Sequence, residues 1–479
     1  MEWWKILLGL LCLFAAFCYQ AYQSLSKNLP KPTFDLKEFW GKGKIAEYKE
    51  DSTIKPFKVD YSEKVINKLA ARLEDANEFT EPLEGVNFEY GFNSNHLKTI
   101  INYWKGTYLP KWNERQQFLN QFSHFKTEIQ GLNMHFLHVK PTKTNKDTKV
   151  FPLLVSLHIF LYPKAKTDSR CLKLIHGWPG SIREFYEIMP LLTTPNKDNI
   201  AFEVVAPSLP GFGFSDGAAK RGMGPEKIAV VMRNLMVRLE LPKFFIQAGD
   251  WGSIVGSSLS ALYPEHVLGY HTNYIGIRTP WAILKTTFAS FFPSYFIVDK
   301  QYISWMYPFS REFFFLLQET GYFHLQATKP DTIGIALSNN PIGLAAYILE
   351  KFSTATNREY RKLADGGLEK DFTLDQLIDN LMIYYLTNSA VTASRIYKES
   401  IGKAYMKESK HSLERVAVVV PTGIAHFKHE IQHQFVFLTS ERFKKILQSS
   451  YFEDGGHFAA LQLPKLLHED FVSFVKKTL

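Results

Sequence analysis

Three apolar segments between residues 171 and 264 each end in a turn rich in glycine or proline, and this arrangement constrains the fold more than any other feature. The segments are LKLIHGWPG, FEVVAPSLPGFGFS and KFFIQAGDWGS, and helical patterns follow the second and the third. Strands that alternate with helices in this way form a mainly parallel sheet with helices on both faces. The sequence therefore predicts a doubly wound α/β fold.

The rest of the sequence predicts what surrounds this sheet. The chain has 479 residues, of which 46% are hydrophobic and 22% charged, the profile of a globular protein of two or three units. The region from about 275 to 410 is rich in aromatic residues and helical in pattern, which is typical of a lid over an apolar pocket. We predict an anchor at 1–25, an extension domain at 26–145, a first core part at 146–275, a helical lid at 276–410 and a second core part at 411–479.

The N-terminal segment carries an uncharged run from Ile6 to Leu25, which is long enough to cross a bilayer as a helix. Trp3 and Trp4 precede the run, and Tyr19 and Tyr22 lie near its end, as interfacial aromatic residues do. The run is long for a cleaved signal peptide, and bulky residues surround its few small ones. Because lysines follow the run, we predict a single-pass anchor with the bulk of the protein on the cytosolic side.

The charge and the cysteines narrow the classes of partner. The formal net charge of +9 comes without a long block of lysine and arginine, so a membrane surface is a better partner for it than nucleic acid. Two of the three cysteines lie in the apolar N-terminal run, which leaves no disulfide framework. The sequence therefore predicts the lipid bilayer as a partner and no nucleic acid.

The segment QAGDWGS is typical of a nucleophile elbow that carries aspartate where serine is usual. The small residues Ala248 and Gly252 flank Asp250, as a tight turn between a strand and a closely packed helix requires. The preceding strand ends in HGWPG, a loop of the kind whose backbone N–H forms half of an oxyanion hole. We predict Asp250 as the nucleophile and the backbone N–H groups of Trp178 and Trp251 as the oxyanion hole.

A histidine and an acid follow in the chain order expected for a catalytic triad. His457 comes two glycines after the last predicted strand, downstream of the elbow and the oxyanion loop. The acid is expected after the penultimate strand, RVAVVVPTGI, where Glu430 is the available carboxylate and Glu441 its nearest rival. The predicted triad is Asp250, Glu430 and His457.

The segment HEIQH, which contains Glu430, also fits the zinc-protease pattern. A zinc site would need His429 and His433 on one helical face and a third ligand downstream, and no Gly-x-x-His extension follows. His457 could serve as that ligand, but the triad accounts for it better. GFGFSDG has neither the spacing nor the helix that a dinucleotide fingerprint requires. We predict no metal and no nucleotide cofactor.

Several motifs together resemble the microsomal epoxide hydrolase family, which includes the insect juvenile hormone epoxide hydrolases. They are HGWPGS, PSLPGFGFSD, GDWGS, NNPIGLAAYILEKFSTAT, DGGLEKDFTLDQL and GGHFAA. The likeness extends to YWKGTYLPKWNERQQFLNQFSHFKTEIQGLNMHFLHVKP, which is similar to the N-terminal domain of that family. The resemblance thus covers essentially the full chain.

The resemblance implies an α/β-hydrolase fold with a helical lid, and a cofactor-independent enzyme that opens lipophilic epoxides to vicinal diols with water. By the same resemblance Asp250, Glu430 and His457 match the triad, and the lid residues Tyr322 and Tyr397 match the donors to the epoxide oxygen. The choice of Tyr322 and Tyr397 rests on the resemblance alone, because the chain has 23 tyrosines and no local pattern distinguishes these two. The family also implies a place in the endoplasmic reticulum membrane.

The sequence departs from the family pattern at two places, and two other classes of protein compete with the epoxide hydrolase interpretation. Ala248 stands where the family usually has glycine, and KWN in YLPKWNER replaces a common Asp-Trp-Arg run, which concerns contacts between the extension domain and the core. A haloalkane dehalogenase would share the aspartate elbow, but it would lack the paired tyrosines and the anchor. A membrane-anchored lipid-binding relative would have lost its triad, whereas all five predicted side chains are present.

Overall fold

The computed structural model of the chain describes residues 3–74, 79–141, 149–150, 171–277, 279–401 and 413–479. The predicted domain boundaries near residues 145 and 410 lie outside these ranges. Within them, two sheets contain the following strands: β1 Lys55–Phe57, β2 His124–Ile129, β3 Leu132–Val139, β4 Lys149–Val150, β5 Cys171–Ile175, β6 Ile200–Ala201, β7 Glu203–Pro207, β8 Phe244–Ala248, β9 Val267–Thr272, β10 Thr422–Phe427 and β11 Ile446–Phe452.

The main sheet has nine strands in the order β1-β2-β3-β7-β5-β8-β9-β10-β11, and β4 pairs with β6 in a separate two-stranded sheet. The six strands from β7 to β11 in this order are parallel. Helices cover a parallel sheet on both faces, which buries its central strands. β5, β7 and β8 are buried along their whole length. The predicted doubly wound α/β fold is confirmed.

The helices in the described ranges fall into three groups. The N-terminal group is α1 Trp3–Ser26, α2 Glu63–Glu74, α3 Ser94–Tyr103 and α4 Trp112–Leu119, and the core group is α5 Met189–Thr193, α6 Pro225–Arg238 and α7 Asp250–Leu262. The lid and C-terminal group is α8 Pro280–Ala289, α9 Pro293–Phe296, α10 Phe309–Glu319, α11 Gly321–Thr328, α12 Pro330–Asn339, α13 Pro341–Thr354, α14 Leu368–Asp371, α15 Leu374–Thr387, α16 Ala390–Ile401, α17 Val436–Thr439, α18 Ala459–Gln462 and α19 Pro464–Thr478.

The predicted lid corresponds to helices α8 to α16, which leave the sheet after β9 and return to it at β10. No strand occurs in the described residues 279–401. In this arrangement a layer of helices covers the carboxyl ends of the parallel strands. The pocket predicted beneath the lid is therefore at the edge where open α/β sheets bind ligands.

The antiparallel edge of the sheet differs from the sequence-based expectation, which had a single strand, MHFLHVKP, before the core. The structure forms a hairpin in which β2 pairs with β3, and β1 adds to its outer side. Gln130 and Gly131 connect the hairpin with φ angles of 54° and 81°. Two residues with positive φ match the twist of the flanking strands. β2 was missed because Gln-Gly replaces the more usual Asn-Gly or Asp-Gly turn.

The penultimate strand is also shifted from its predicted position. RVAVVVPTGI was expected to form it, but β10 begins at Thr422, after Pro421. In the described structure the apolar residues before the proline form two isolated bridges, from Val416 to Leu29 and from Val418 to Phe443, instead of a strand. A proline interrupts the ladder of a central strand because it lacks the N–H group.

The predicted anchor at residues 1–25 falls on α1, apart from residues 1 and 2, which lie outside the described ranges. In the part of the chain that the structure describes, no single helix meets the length and hydropathy expected of a membrane span. Among the described helices, α12 and α13 meet it together as a pair, and they are bent by 117° where they join.

Candidate active site

Asp250 lies at the sharp turn between β8 and α7, where its φ angle is 48°. A positive φ is strained for a residue other than glycine, and such strain is typical of functional turns. The helix packs so closely that a Cβ atom on Gly252 would lie 2.2 Å from the carbonyl oxygen of Ile175. Ala248, two residues earlier, is fully buried. The local geometry is that of a nucleophile elbow.

The loop after β5 contacts the Asp250 carboxylate directly. The backbone N–H of Trp178 donates a hydrogen bond to Oδ1 of Asp250 at 2.7 Å. A Cβ atom on Gly177 would lie 1.9 Å from the same oxygen, so only glycine leaves room for the carboxylate. Trp251 follows Asp250 in the first turn of α7, and its side chain is buried. Oδ1 therefore occupies the position expected of an oxyanion.

His457 lies between two carboxylates. Its Nδ1 atom is 2.6 Å from Oε1 of Glu430, and its Nε2 atom is 3.1 Å from Oδ2 of Asp250. Burial alone lowers the pKa of the imidazole, but the charge of Glu430 and the hydrogen bonds and charge of Asp250 raise it well above its usual value. Glu430 also accepts a hydrogen bond from the Ile431 N–H at 2.7 Å. The structure thus brings the three predicted triad side chains into one hydrogen-bonded row.

The alternatives raised by the sequence have other environments. Glu441 forms an ion pair with Lys285 at 2.6 Å. His433 contacts the backbone oxygen of Lys428 at 3.2 Å. Among the described residues, no group of three or more His, Cys, Asp or Glu side chains could hold a metal ion. HEIQH lies in the loop after β10, so its two histidines do not share a helical face.

Tyr322 on α11 and Tyr397 on α16 lie together above the elbow. The Tyr322 ring stacks on Trp178 with a centroid distance of 4.8 Å, and the Tyr397 ring meets Trp251 edge-on at 4.8 Å. The two tyrosine rings are 6.0 Å apart. Burial, with the charge of Asp250 adding to it, raises the pKa of both hydroxyls well above the usual value. Both phenols therefore stay protonated and can donate hydrogen bonds beside Asp250.

An apolar pocket extends from His457 under the lid. Its walls include the Trp178 and Tyr322 rings, with Phe315 and Leu316 from α10 and Ile431 from the loop after β10. Apolar walls with a few converging polar groups are typical of sites for small organic ligands. The arrangement can hold a lipophilic molecule with a reactive carbon near Asp250 and an oxygen near the two phenols.

The sequence analysis missed Glu184, which lines a second cavity on the sheet side of the triad together with Asp250 and His457. Burial, and to a smaller degree the charge of Asp250, raises the pKa of this carboxyl to about 8. The only signal in the sequence is its position four residues after HGWPG. That position does not reveal where the side chain points.

The fold and the site define an enzyme of the α/β-hydrolase class with a carboxylate on its elbow. Two family descriptions match the chain: "Epoxide hydrolase N terminus" over residues 54–185 and "alpha/beta hydrolase fold" over residues 172–404. "Juvenile hormone epoxide hydrolase 2" of Ctenocephalides felis is 46% identical, over 95% of this chain and 92% of that protein. "Epoxide hydrolase 1" of Sus scrofa is 39% identical, over 99% of this chain and 98% of that protein.

Solved structures agree with these relatives. The crystal structure of juvenile hormone epoxide hydrolase from the silkworm Bombyx mori is 42% identical, with a TM-score of 0.85 over 93% of this chain and 99% of that chain. The Aspergillus niger epoxide hydrolase shares the fold at 24% identity, with a TM-score of 0.68 over 89% of this chain and 97% of that one. The chain therefore belongs to the epoxide hydrolase family, which confirms the resemblance inferred from its motifs.

Proposed function

We propose that the chain hydrolyses lipophilic epoxides in two steps through an ester on Asp250. The observation that carries the proposal is the arrangement of the Asp250 carboxylate: Oδ1 accepts the Trp178 N–H, while Oδ2 lies 3.1 Å from His457. One oxygen is thus held in a backbone hydrogen bond and the other faces the base. An anionic carboxylate suits attack on an epoxide carbon, whereas a serine suits acyl transfer.

In the first step Oδ2 of Asp250 attacks an epoxide carbon and the C–O bond of the ring breaks. The released oxygen takes a proton from Tyr397 or Tyr322, which stabilise its developing charge as hydrogen-bond donors. The product of this step is a hydroxyalkyl ester of Asp250. The high pKa of the phenols keeps their protons in place until the ring opens.

In the second step a water molecule loses a proton to Nε2 of His457 and its oxygen adds to Cγ of Asp250. Glu430 stabilises the imidazolium and holds the ring. The oxyanion at Oδ1 is held by the N–H groups of Trp178 and Trp251, and the loss of one such donor costs about 3 kcal/mol of barrier. The ester C–O bond then breaks, the diol takes the proton from His457, and the proton lost as Asp250 re-ionises restores the phenol.

We further propose that residues 1–25 anchor the enzyme in the endoplasmic reticulum membrane with the catalytic domain on the cytosolic side. The support is the uncharged run from Ile6 to Leu25 and the edge-on contact between Tyr22 and Trp281, with centroids 5.1 Å apart. Phe291 and Tyr295, which follow α8 in the chain, are among the exposed apolar side chains between α8 and α10. Exposed apolar patches of this kind suit a lipid surface from which lipophilic epoxides enter.

The first experiment is a single turnover in oxygen-18 water, with excess detergent-solubilised enzyme and a chelator. Styrene oxide and a terpenoid epoxide are suitable substrates, the latter because two relatives with 46% identity to this chain are named for juvenile hormone. An unlabelled diol, with the label recovered in Asp250 after several turnovers, supports the ester route. A labelled diol in the first turnover would mean direct hydration and would contradict it. Asp250→Ala is expected to bind the epoxide without turning it over.

The membrane proposal has its own test. Carbonate extraction of microsomes is expected to leave the full-length chain in the pellet, and protease added outside intact microsomes is expected to digest the catalytic domain. A chain released by carbonate, or protected from protease, would contradict the anchor or its orientation.

A further inference from the structure

We propose that the carboxyl group of Glu184 binds the water molecule that hydrolyses the Asp250 ester and holds it against His457. This inference rests on the two-step function proposed above. It adds a fourth side chain to the hydrolytic half of the reaction, in contact with the reacting water.

The position of Glu184 follows from its local structure. It lies in the short 3₁₀ turn Ile182–Phe185, directly after the loop that holds Asp250. A Cβ atom on Gly180 would lie 1.5 Å from Oε1 of Glu184, so the carboxyl group covers Gly180 and occupies the space of a side chain there. Position 180 therefore has to be glycine because the Glu184 carboxyl group leaves no room for a side chain there, and not because of the φ angle of Gly180.

Side-chain hydrogen bonds tie the residues just before Glu184 to α15. Ser181 donates a hydrogen bond to Oδ1 of Asn380 at 2.7 Å, and the same amide donates to the Pro179 oxygen at 2.9 Å. Nε of Arg183 donates to Oδ2 of the fully buried Asp379 at 2.8 Å. The residues that precede Glu184 are therefore tied to the lid, and its carboxyl group lines the cavity beside Asp250 and His457.

The cavity in front of Glu184 has the size and the chemistry of a water site. Its volume is about 20 Å³, enough for one water molecule, and Asp250, His457, Gln247 and Asn273 line it as well. Within the described part of the chain, the Glu184 carboxyl group makes no hydrogen bond to another protein group. A carboxyl group removed from bulk solvent needs a partner, and a water between Glu184 and Nε2 of His457 supplies one.

The side-chain amides of Gln247 and Asn273, on the far side of the cavity, are hydrogen-bonded to each other. Nε2 of Gln247 donates to Oδ1 of Asn273 at 3.2 Å, and Nδ2 of Asn273 donates to the backbone oxygen of His457 at 3.3 Å. Their main role is to hold the histidine backbone. Among the described carboxyl groups that line the cavity, Glu184 is therefore the one with no hydrogen bond from the protein, and it offers an acceptor for the water.

The charge state of Glu184 suits this role. With its pKa raised to about 8, chiefly by burial, the carboxyl group is neutral near pH 7 and accepts a hydrogen bond without adding a negative charge beside the forming oxyanion. As the pH rises through that value the group ionises and repels the oxyanion. The titratable groups that face it are Asp250, His457, His176 and Tyr384.

In the proposed step the water donates one hydrogen bond to Glu184 and transfers its other proton to His457. Its oxygen adds to Cγ of Asp250 as the π bond of the ester carbonyl opens toward Oδ1. Glu184 neither gains nor loses a proton, so the balance of the two-step reaction is unchanged. Its contribution is to fix the direction of the attacking lone pair.

The test separates ester formation from ester hydrolysis in the full-length enzyme. Rapid-quench single turnovers with styrene oxide would compare wild type with Glu184→Ala and Glu184→Gln. We expect ester formation within about twofold of wild type, hydrolysis slowed about tenfold in Glu184→Ala, and partial rescue in Glu184→Gln, whose amide still accepts a hydrogen bond. The alkaline fall of the hydrolysis rate near pH 8 is expected to vanish in Glu184→Gln.

Glu187→Gln is the matched control, because Glu187 follows the same turn but pairs with Arg183 at 2.8 Å outside the cavity. Its hydrolysis rate is expected to stay near that of wild type. Unchanged hydrolysis in Glu184→Ala, or equal slowing of both steps, would overturn the inference while leaving the two-step function intact. If the wild-type enzyme forms no ester, both the function and the inference fail.

Discussion

Nδ1 of His457 lies 2.6 Å from Oε1 of Glu430, and this contact leaves Nε2 free to face Asp250. The substitution Glu430→Gln removes the negative charge that stabilises the imidazolium form of His457. We expect ester hydrolysis to slow by about 10²- to 10⁴-fold, while ester formation changes little because it needs no base. Rapid-quench kinetics measure both steps. Glu441→Gln is the control, and a larger effect there would assign the acid to Glu441.

The lid tyrosines are expected to affect the other step. Tyr397→Phe and Tyr322→Phe each remove one donor to the epoxide oxygen and are expected to slow ester formation by about 10²- to 10³-fold. Hydrolysis of ester that has already formed should change much less. Tyr347→Phe is the control, because its ring lies 5.8 Å from Trp178 in the same aromatic group. Equal losses in all three variants would indicate a packing role.

Gly177→Ala tests the close approach of the oxyanion loop. The added methyl group would lie 1.9 Å from Oδ1 of Asp250, so the carboxylate has to move out of its position. We expect a folded protein with less than about 1% of wild-type activity, since small misplacements at an active site cost about 10²-fold. Gly252→Ala collides with backbone instead and is expected to lower the melting temperature as well. Thermal melts beside the assay distinguish the two effects.

The parts of the site that were predictable are those encoded within a few residues. Asp250 and His457 follow strands in motifs whose small residues are needed for tight turns, so their place at the sheet edge follows from local pattern. Glu430 followed from chain order, although the strand before it, β10, begins later than the apolar run suggested.

The rest depends on contacts between distant segments. Tyr322 and Tyr397 converge because α11 and α16 pack together in the lid, and no local pattern marks either residue. Glu184 stands close to HGWPG in the sequence, but the residues just before it are tied to α15, about two hundred residues away. The β2–β3 hairpin lacked a strong turn signal and was therefore missed.

Asp379 links the extension domain, the oxyanion loop and the lid. It is fully buried and accepts hydrogen bonds from Tyr108 at 2.7 Å, Arg115 at 2.5 Å and Arg183 at 2.8 Å. Asp379→Asn removes the fully buried carboxylate that both guanidinium groups share and leaves them only the more exposed Glu187 and Asp375 as ion-pair partners, so the free energy of unfolding is expected to fall by about 3 kcal/mol. Chemical denaturation measures the change. Asp375→Asn, at the more exposed edge of the network, is expected to cost less than about 1 kcal/mol.

The pH dependence of the two steps is expected to differ because the charge beside His457 changes between them. In the free enzyme Glu430 and Asp250 hold the pKa of His457 well above its usual value, so the ring is protonated at neutral pH. This raised pKa stabilises the fold below the unfolded-state pKa of about 6.5, and that stabilisation is lost as the pH rises through the folded-state value. Ester formation uses the Asp250 carboxylate and does not need a neutral ring.

Once Asp250 is an ester its negative charge is gone, and the pKa of His457 falls. The ring then releases its proton and becomes the base for hydrolysis. We expect the rate of ester formation to be nearly flat across neutral pH, and the rate of hydrolysis to rise with pH through a pKa lower than that of the free enzyme. Single-turnover rates of wild type and Glu184→Gln over a pH series measure both. Ester formation that slows as His457 is protonated would show instead that the first step needs the neutral ring.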